Sequence, residues 1–266
     1  MLDQFDNRPI GIFDSGVGGL SVFTEIKKLL PKENFIFFAD QGHVPYGGKT
    51  KEELEALTDR ILAFFISKNV KTVVIACNTA TVYAIDSLRE KYKIPIIGTV
   101  PVIKTIAKIT KTGKTAVFST PATAKSEYLT HLIAKFANGI MVFKVGGTGL
   151  EELVEEGKLD SPEADRVLHE SLEPLMKENV DAIALGCTHY PFLRAKIEKI
   201  VGTKVSVVDS GGAVARRLKF ILEHNGILGD VRDEDFYYTT GDEGNFKRVA
   251  EMLLGEKLKN VAGIQI

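Results

Sequence analysis

Short apolar runs alternate with stretches of helical period along almost the whole chain. Ile10 to Phe13, Phe35 to Ala39, Thr72 to Ala76, Thr115 to Ser119, Ile140 to Val145, Asp181 to Leu185 and Val205 to Val208 read as buried strands. Between them lie amphipathic segments. Leu54, Leu57, Ile61, Phe64 and Phe65 share one face of a helix over 51–67, at spacings of three and four. Leu20, Phe23, Ile26 and Leu30 do the same for a first helix. Such alternation predicts an α/β fold of mostly parallel sheets flanked by helices. Ligands of such folds sit beyond the C-terminal ends of the strands.

The pattern also repeats. "VVIACNTAT" (73–81) and "AIALGCTHY" (182–190) each join an apolar strand to a small residue, a cysteine and a threonine, with Cys77 and Cys187 standing 110 positions apart. "IGIFDSGVG" (10–18) and "TAVFSTPAT" (115–123) form a second pair, with Phe13 and Phe118 105 positions apart. Two α/β halves of about 110 residues are expected, a normal domain size. Breaks fall near Gly98 and Pro101 and again near 209–214.

Composition narrows the function without choosing it. The chain has 266 residues, 44% hydrophobic and 26% charged, with a formal net charge of -1, so no global field favours nucleic acid or an anionic membrane. "MLDQFDNRPIGIF" does not read as a signal peptide, and no apolar run approaches the roughly 20 residues of a membrane span. Two cysteines in that context point to free thiols in a reducing, cytoplasmic compartment. The Lys-rich stretches "KNVKTVV" and "GEKLKN" read as solvated surface.

The chemistry is concentrated at the two cysteines. Each is expected at a strand-to-helix junction, where a helix N-terminus lowers a thiol's pKa and favours the thiolate. One buried cysteine is packing; two in matching positions point to acid/base chemistry. Asn78 and Thr79 follow the first and Thr188 and His189 the second, as helix caps or as a carboxylate site. Asp14 and Ser15 open a glycine-rich turn without full G-x-G-x-x-G spacing, and Asp14 is either an N-cap or the partner of an ammonium group. Tyr46 and Gly47 lie in a loop leading to a capped helix start, with backbone amides that could face an anion. Cys-x-His at 187–189 is half of a structural zinc set, Cys-x-x-Cys is absent, and no lysine marks a pyridoxal site. "KVGGTGLEE" (144–152) reads as the turn before a helix rather than a phosphate cradle. Two opposed thiols could deprotonate a stereocentre on one face and reprotonate it on the other, since a free thiol pKa of about 8.5 serves both roles. A pure binding protein with packing thiols is the rival class.

"IGIFDSGVGGLSV", "VPYG", "ACNTAT", "STPATAKSEY", "GCTHYP" and "VDSGGAVARRL", in this order, resemble the cofactor-independent glutamate racemases of the aspartate/glutamate racemase superfamily. The resemblance implies two similar α/β domains related by pseudo-two-fold symmetry, with the active site in the cleft between them. The expected division is 1–99 with 213–266, carrying Cys77, and 100–212, carrying Cys187. It implies interconversion of L- and D-glutamate for peptidoglycan synthesis, no organic cofactor and no metal, and a homodimer. Cys77 would deprotonate D-glutamate and Cys187 L-glutamate, with Asp14 and His189 assisting. Asp14, Ser15, Tyr46, Gly47, Asn78, Thr79, Thr188 and His189 would bind substrate. Glu155, with Glu156 next, would stand behind His189. The stretch departs from the usual family pattern at "GGTGLEELVEEG" and at "QGH" before "VPYG".

Overall fold

The computed structural model describes residues 5–266; the first four residues of the stretch read for a signal peptide lie outside them. In chain order the first elements are β1 (Ile10–Asp14), α1 (Leu20–Leu29), β2 (Phe35–Ala39), α2 (Lys51–Ser67), β3 (Thr72–Ile75), α3 (Asn78–Lys91) and β4 (Ile96–Gly98). Then follow α4 (Ile103–Ile109), β5 (Lys114–Ser119), α5 (Pro121–Lys125), α6 (Glu127–Phe136), β6 (Met141–Gly146), α7 (Leu150–Glu155), α8 (Pro162–Lys177), β7 (Ala182–Leu185), α9 (Arg194–Val201) and β8 (Ser206–Val208). The chain closes with α10 (Gly211–His224), β9 (Phe236–Thr239), α11 (Glu243–Leu254) and β10 (Asn260–Gly263).

These elements form two compact units. One holds the described residues up to Thr99 together with Gly211–Ile266, and the other holds Val100–Ser210. The first unit has a six-stranded sheet in the order β10-β9-β2-β1-β3-β4 and the second a four-stranded sheet in the order β6-β5-β7-β8. Every pairing in both sheets is parallel. The order β2-β1-β3-β4 therefore recurs as β6-β5-β7-β8, which gives the weak sequence repeat a topological meaning. In both sheets the strand order reverses at the first strand, between β1 and β3 and between β5 and β7. Open α/β sheets bind ligands at such a switch point, beyond the strand C-termini.

Helices cover the parallel sheets on both sides, as such sheets require. The edge strands β6 and β8, read in the sequence as buried, are instead half-buried or exposed, because each pairs on one side only. In β2, Ile36 and Phe38 join the cluster built from α2 and α3, while Phe35 and Phe37 meet Phe23 of α1, and Phe37 stacks on Phe246 of α11. Helix α2 begins at a full capping box between Thr50 and Glu53, as the loop chemistry at 44–50 anticipates. On α2, Leu54, Leu57, Ile61 and Phe65 are buried. Phe64 departs from that face: it is half-buried and packs edge-on against Tyr238, ring centroids 4.9 Å apart. No helix among the described residues is long and apolar enough to cross a membrane.

One stretch read as solvated surface is corrected. In "KNVKTVV", Lys71 is buried, with its Nζ 2.5 Å from Glu33 Oε2. The ammonium also donates to the carbonyls of Asp6 and Ile227, at 2.5 and 2.8 Å. Glu33 accepts in turn from the Gly229 N–H at 2.7 Å. A buried charge survives only with partners of this kind, and here they tie the N-terminal ends of β2 and β3 to the segment after α10.

Candidate active site

In the first unit the site grows from the ends of β1 and β3. Asp14, the last residue of β1, is fully buried, and its Oδ2 accepts the Gly19 N–H at 2.6 Å where α1 begins. A Cβ on Gly19 would lie 2.5 Å from Asp14 Cβ, so the glycine-rich turn serves close approach to this carboxylate. Cys77 follows β3 by two residues and is the N-cap of α3 in an extended conformation. Its thiol donates to Ser15 Oγ at 3.7 Å. On the first turn of α3, Asn78 is buried and Thr79 half-buried. The Asn78 Oδ1 has no hydrogen-bond partner among the described residues, so a donor from a ligand would satisfy it.

Tyr46 joins the same apolar cluster as Cys77, while Gly47 beside it is exposed on a short 3-10 turn. The Tyr46 hydroxyl donates to Asp40 Oδ2 at 2.5 Å. Asp40 is fully buried, and its other oxygen meets His43 Nδ1 and the Thr240 hydroxyl, each at 2.7 Å. Asp40 and Thr240 went unread in the sequence. The available signal was a carboxylate placed directly after the buried run of β2.

The second unit repeats the plan with a different junction. Cys187 stands two residues beyond β7, but no α-helix begins there as expected. A turn through Thr188 and His189 leads into a short 3-10 helix at Tyr190–Leu193, and only then α9. The buried Tyr190 hydroxyl donates to the carbonyls of Ser119 and Gly147, at 3.0 Å each, and pins this turn to β5. The Cys187 Sγ lies 3.5 Å from His189 Nδ1, and the other ring nitrogen is 2.7 Å from Glu155 Oε1. Glu156, the other acidic candidate, is exposed and pairs with Lys158 at 2.5 Å. Thr188 is buried in the turn. Gly149, at φ +85°, opens α7, so the 144–152 segment is the turn that aims this helix. Glu151, missed in the sequence, accepts a hydrogen bond from the Cys187 thiol through its Oε1 at 3.6 Å. Its signal was the four-residue spacing to Glu155, which puts both on one helix face.

The family model for Asp/Glu/hydantoin racemases matches residues 10–218, and so covers both cysteine junctions. The chain belongs to that racemase family. Curated relatives include a glutamate racemase from Deinococcus radiodurans, 44% identical over 243 residues, spanning 90% of this chain and 84% of that protein. Among solved structures, glutamate racemase isoform RacE1 from Bacillus anthracis superposes with a TM-score of 0.87 at 34% identity, covering 98% of both chains. Escherichia coli glutamate racemase, solved with L-glutamate and the activator UDP-MurNAc-Ala, gives a TM-score of 0.87 at 31% identity, covering 97% of this chain and 98% of its own.

The electrostatics of this racemase-family site overturn one expectation. Neither thiol is held below its ordinary pKa. Burial and then the Asp14 charge push Cys77 well up, against the smaller pull of the Ala80 amide and Ser15. Burial and then Glu151 push Cys187 up to about 11, while His189 pulls it down. Desolvation outweighs the helix terminus at Cys77 and the His189 imidazole at Cys187. Burial also opposes charge on His189, but Cys187 and Glu155 together hold its pKa well above the ordinary range.

A stability consequence follows for Cys187. Its pKa rises from 9.0 in the unfolded chain to about 11 when folded, so the folded state binds the proton more tightly. That contribution is complete below pH 9 and is lost as pH rises towards 11. Between those values the thermal midpoint of the wild type should fall more steeply than that of Cys187→Ala. Parallel curves for the two proteins would remove the effect.

Proposed function

We propose that this chain is a glutamate racemase that inverts the Cα of glutamate with two cysteines and no cofactor. The observation that carries the reading is the recurrence of one strand order in two sheets, with Cys77 and Cys187 each two residues beyond the corresponding strand. In this reading the Cys77 thiolate removes the Cα proton of D-glutamate and the Cys187 thiol delivers a proton to the opposite face. The reverse sequence converts L-glutamate. The Cα proton is removed and a new one added, so the reaction balances without an electron acceptor.

The electrostatics supply a way to generate the thiolate. Asp14 raises the Cys77 pKa by its negative charge. A substrate ammonium placed against Asp14 and the unpartnered Asn78 Oδ1 would cancel that repulsion and make Cys77 a stronger acid when substrate is bound. Glu155 fixes His189 through Nε2, which leaves Nδ1 to the Cys187 sulfur. Ser15, Tyr46, Gly47, Thr79 and Thr188 are assigned to the carboxylates of the substrate, with Tyr46 held in place by Asp40. The relatives named above are glutamate racemases, which supports glutamate as substrate and D-glutamate supply for peptidoglycan as the role. A cytoplasmic homodimer belongs to the same reading.

The test is hydrogen exchange at Cα. Incubation of either enantiomer in deuterium oxide should place solvent deuterium at Cα of the product, with L- and D-glutamate approaching equal amounts. Binding of glutamate without any Cα exchange would overturn the proposal.

A further inference from the structure

Three groups around Cys187 have the composition and spacing of a metal site. The Cys187 sulfur, a His189 ring nitrogen and a Glu151 carboxylate oxygen all lie within 4.8 Å of one another. The sulfur is 3.5 Å from His189 Nδ1 and 3.6 Å from Glu151 Oε1. Tetrahedral zinc with bonds of about 2.3 Å to sulfur and about 2.0–2.1 Å to nitrogen or oxygen sets its ligand atoms about 3.5 Å apart. The two edges that meet at the sulfur therefore have nearly the lengths such an ion requires, and the third, between the His189 nitrogen and the Glu151 oxygen, is within 4.8 Å. Outside it, Glu155 accepts the proton on His189 Nε2 at 2.7 Å. A carboxylate on the far nitrogen keeps a proton on Nε2 and makes Nδ1 the nitrogen that gives up its proton to a metal, the arrangement that supports metal-bound histidines. Three protein ligands leave the fourth tetrahedral position open to water.

We propose that Glu151, Cys187 and His189 form a site for Zn²⁺ or another thiophilic divalent ion, and that occupation switches this racemase off. Thiolate and imidazole select Zn²⁺ over Mg²⁺ or Ca²⁺. On binding, the sulfur–hydrogen bond and the Nδ1–hydrogen bond of the His189 imidazolium break, both protons pass to solvent, and the sulfur–metal and nitrogen–metal bonds form. A metal-bound sulfur cannot deliver a proton to Cα, so the same atom that would serve one half of the reaction is withdrawn from it. The inhibitory consequence rests on the racemase reading; the site itself rests on the geometry of the second unit alone.

Co²⁺ reports the site directly, because a tetrahedral thiolate complex shows a sulfur-to-cobalt charge-transfer band. Metal-free wild-type protein titrated with Co²⁺ should show that band at one equivalent, and Zn²⁺ should displace it. Zn²⁺ should also abolish racemisation, and a chelator should restore it. Cys187→Ser should lose the band, Glu151→Gln should bind at least tenfold more weakly, and Glu155→Gln should bind about 10–100-fold more weakly. Cys77→Ser should bind as the wild type does, and unchanged circular dichroism should confirm that each variant folds. The inference fails if the wild type gives no thiolate band, or if the band survives Cys187→Ser or disappears in Cys77→Ser. It also fails if Glu151→Gln binds Co²⁺ undiminished. A protein that racemises glutamate but binds no Co²⁺ sinks this inference alone. A protein that shows the band but exchanges no Cα hydrogen sinks the racemase reading and leaves the site standing.

Discussion

Cys77→Ser and Cys187→Ser are each expected to lower the rate of racemisation by about 10²–10⁴-fold, the range for loss of a positioned acid or base. A serine hydroxyl is nearly isosteric with the thiol but a far weaker acid. Both positions are buried, and a hydroxyl at each would find a partner already in place, Ser15 Oγ at one and His189 Nδ1 at the other. The thermal midpoint should therefore change little, which separates lost chemistry from lost structure. The two variants should also differ in kind. With only Cys77 left, the protein can remove the Cα proton of D-glutamate and return solvent deuterium to the same face. With only Cys187 left, the same exchange without inversion should appear on L-glutamate. Full racemase activity in either variant would end the two-thiol mechanism.

The largest effect on stability is expected far from the thiols. Lys71→Met removes one member of a fully buried pair and leaves Glu33, with the carbonyls of Asp6 and Ile227, facing an apolar side chain. Breaking such a pair from one side costs about 3–5 kcal/mol, which for a chain of this size lowers the thermal midpoint by about 10 °C. Lys71→Met combined with Glu33→Leu should recover much of that loss, because no uncompensated charge remains. The clamp holds the N-terminal ends of β2 and β3, and Cys77 lies past the other end of β3, up to about 20 Å along the chain from Lys71. Well below its transition the Lys71→Met protein should keep its activity. A midpoint shift below about 2 °C would show that the pair contributes little.

Much of this was legible in the residues, for reasons that also explain what was not. Strands β1, β2, β3, β5, β6, β7 and β8 announce themselves as apolar runs, to within a residue or so at each end. Strands β4, β9 and β10 do not. They are three or four residues long: "IIG" sits against Pro95, "FYYT" follows a charged run, and "NVAG" has two apolar side chains. Only pairing with their neighbours makes them strands. Lys71 was hidden because its charge suggested solvent, and burial of a charge depends on a carboxylate 38 positions earlier in the chain. Both thiols were located by the repeat, yet their pKa values were read in the wrong direction. A helix start is readable from the sequence at Cys77, while at Cys187 the turn into the 3-10 helix is not, and at both the desolvation that raises the pKa comes from side chains packed around the sulfur. Glu151 was lost among Glu152, Glu155 and Glu156, since only the pitch of α7 tells which carboxylates share a face.

The sheet of the first unit has a consequence for synthesis. Strand β2, "FIFFA", pairs on one side with β1 and on the other with β9, in a register that joins Ile36 to Phe236. The whole of the second unit is encoded between those two strands. A chain emerging from the ribosome can therefore complete residues 100–210 as a local fold while β2 still presents an open edge of wholly apolar residues. Such an edge invites pairing with any other chain nearby, and closing the loop to β9 spans about 200 residues, at an entropic cost that grows only slowly with length. Translation that stalls after α10 would leave an aggregation-prone intermediate, and the short strand at Phe236–Thr239 is what ends that exposure.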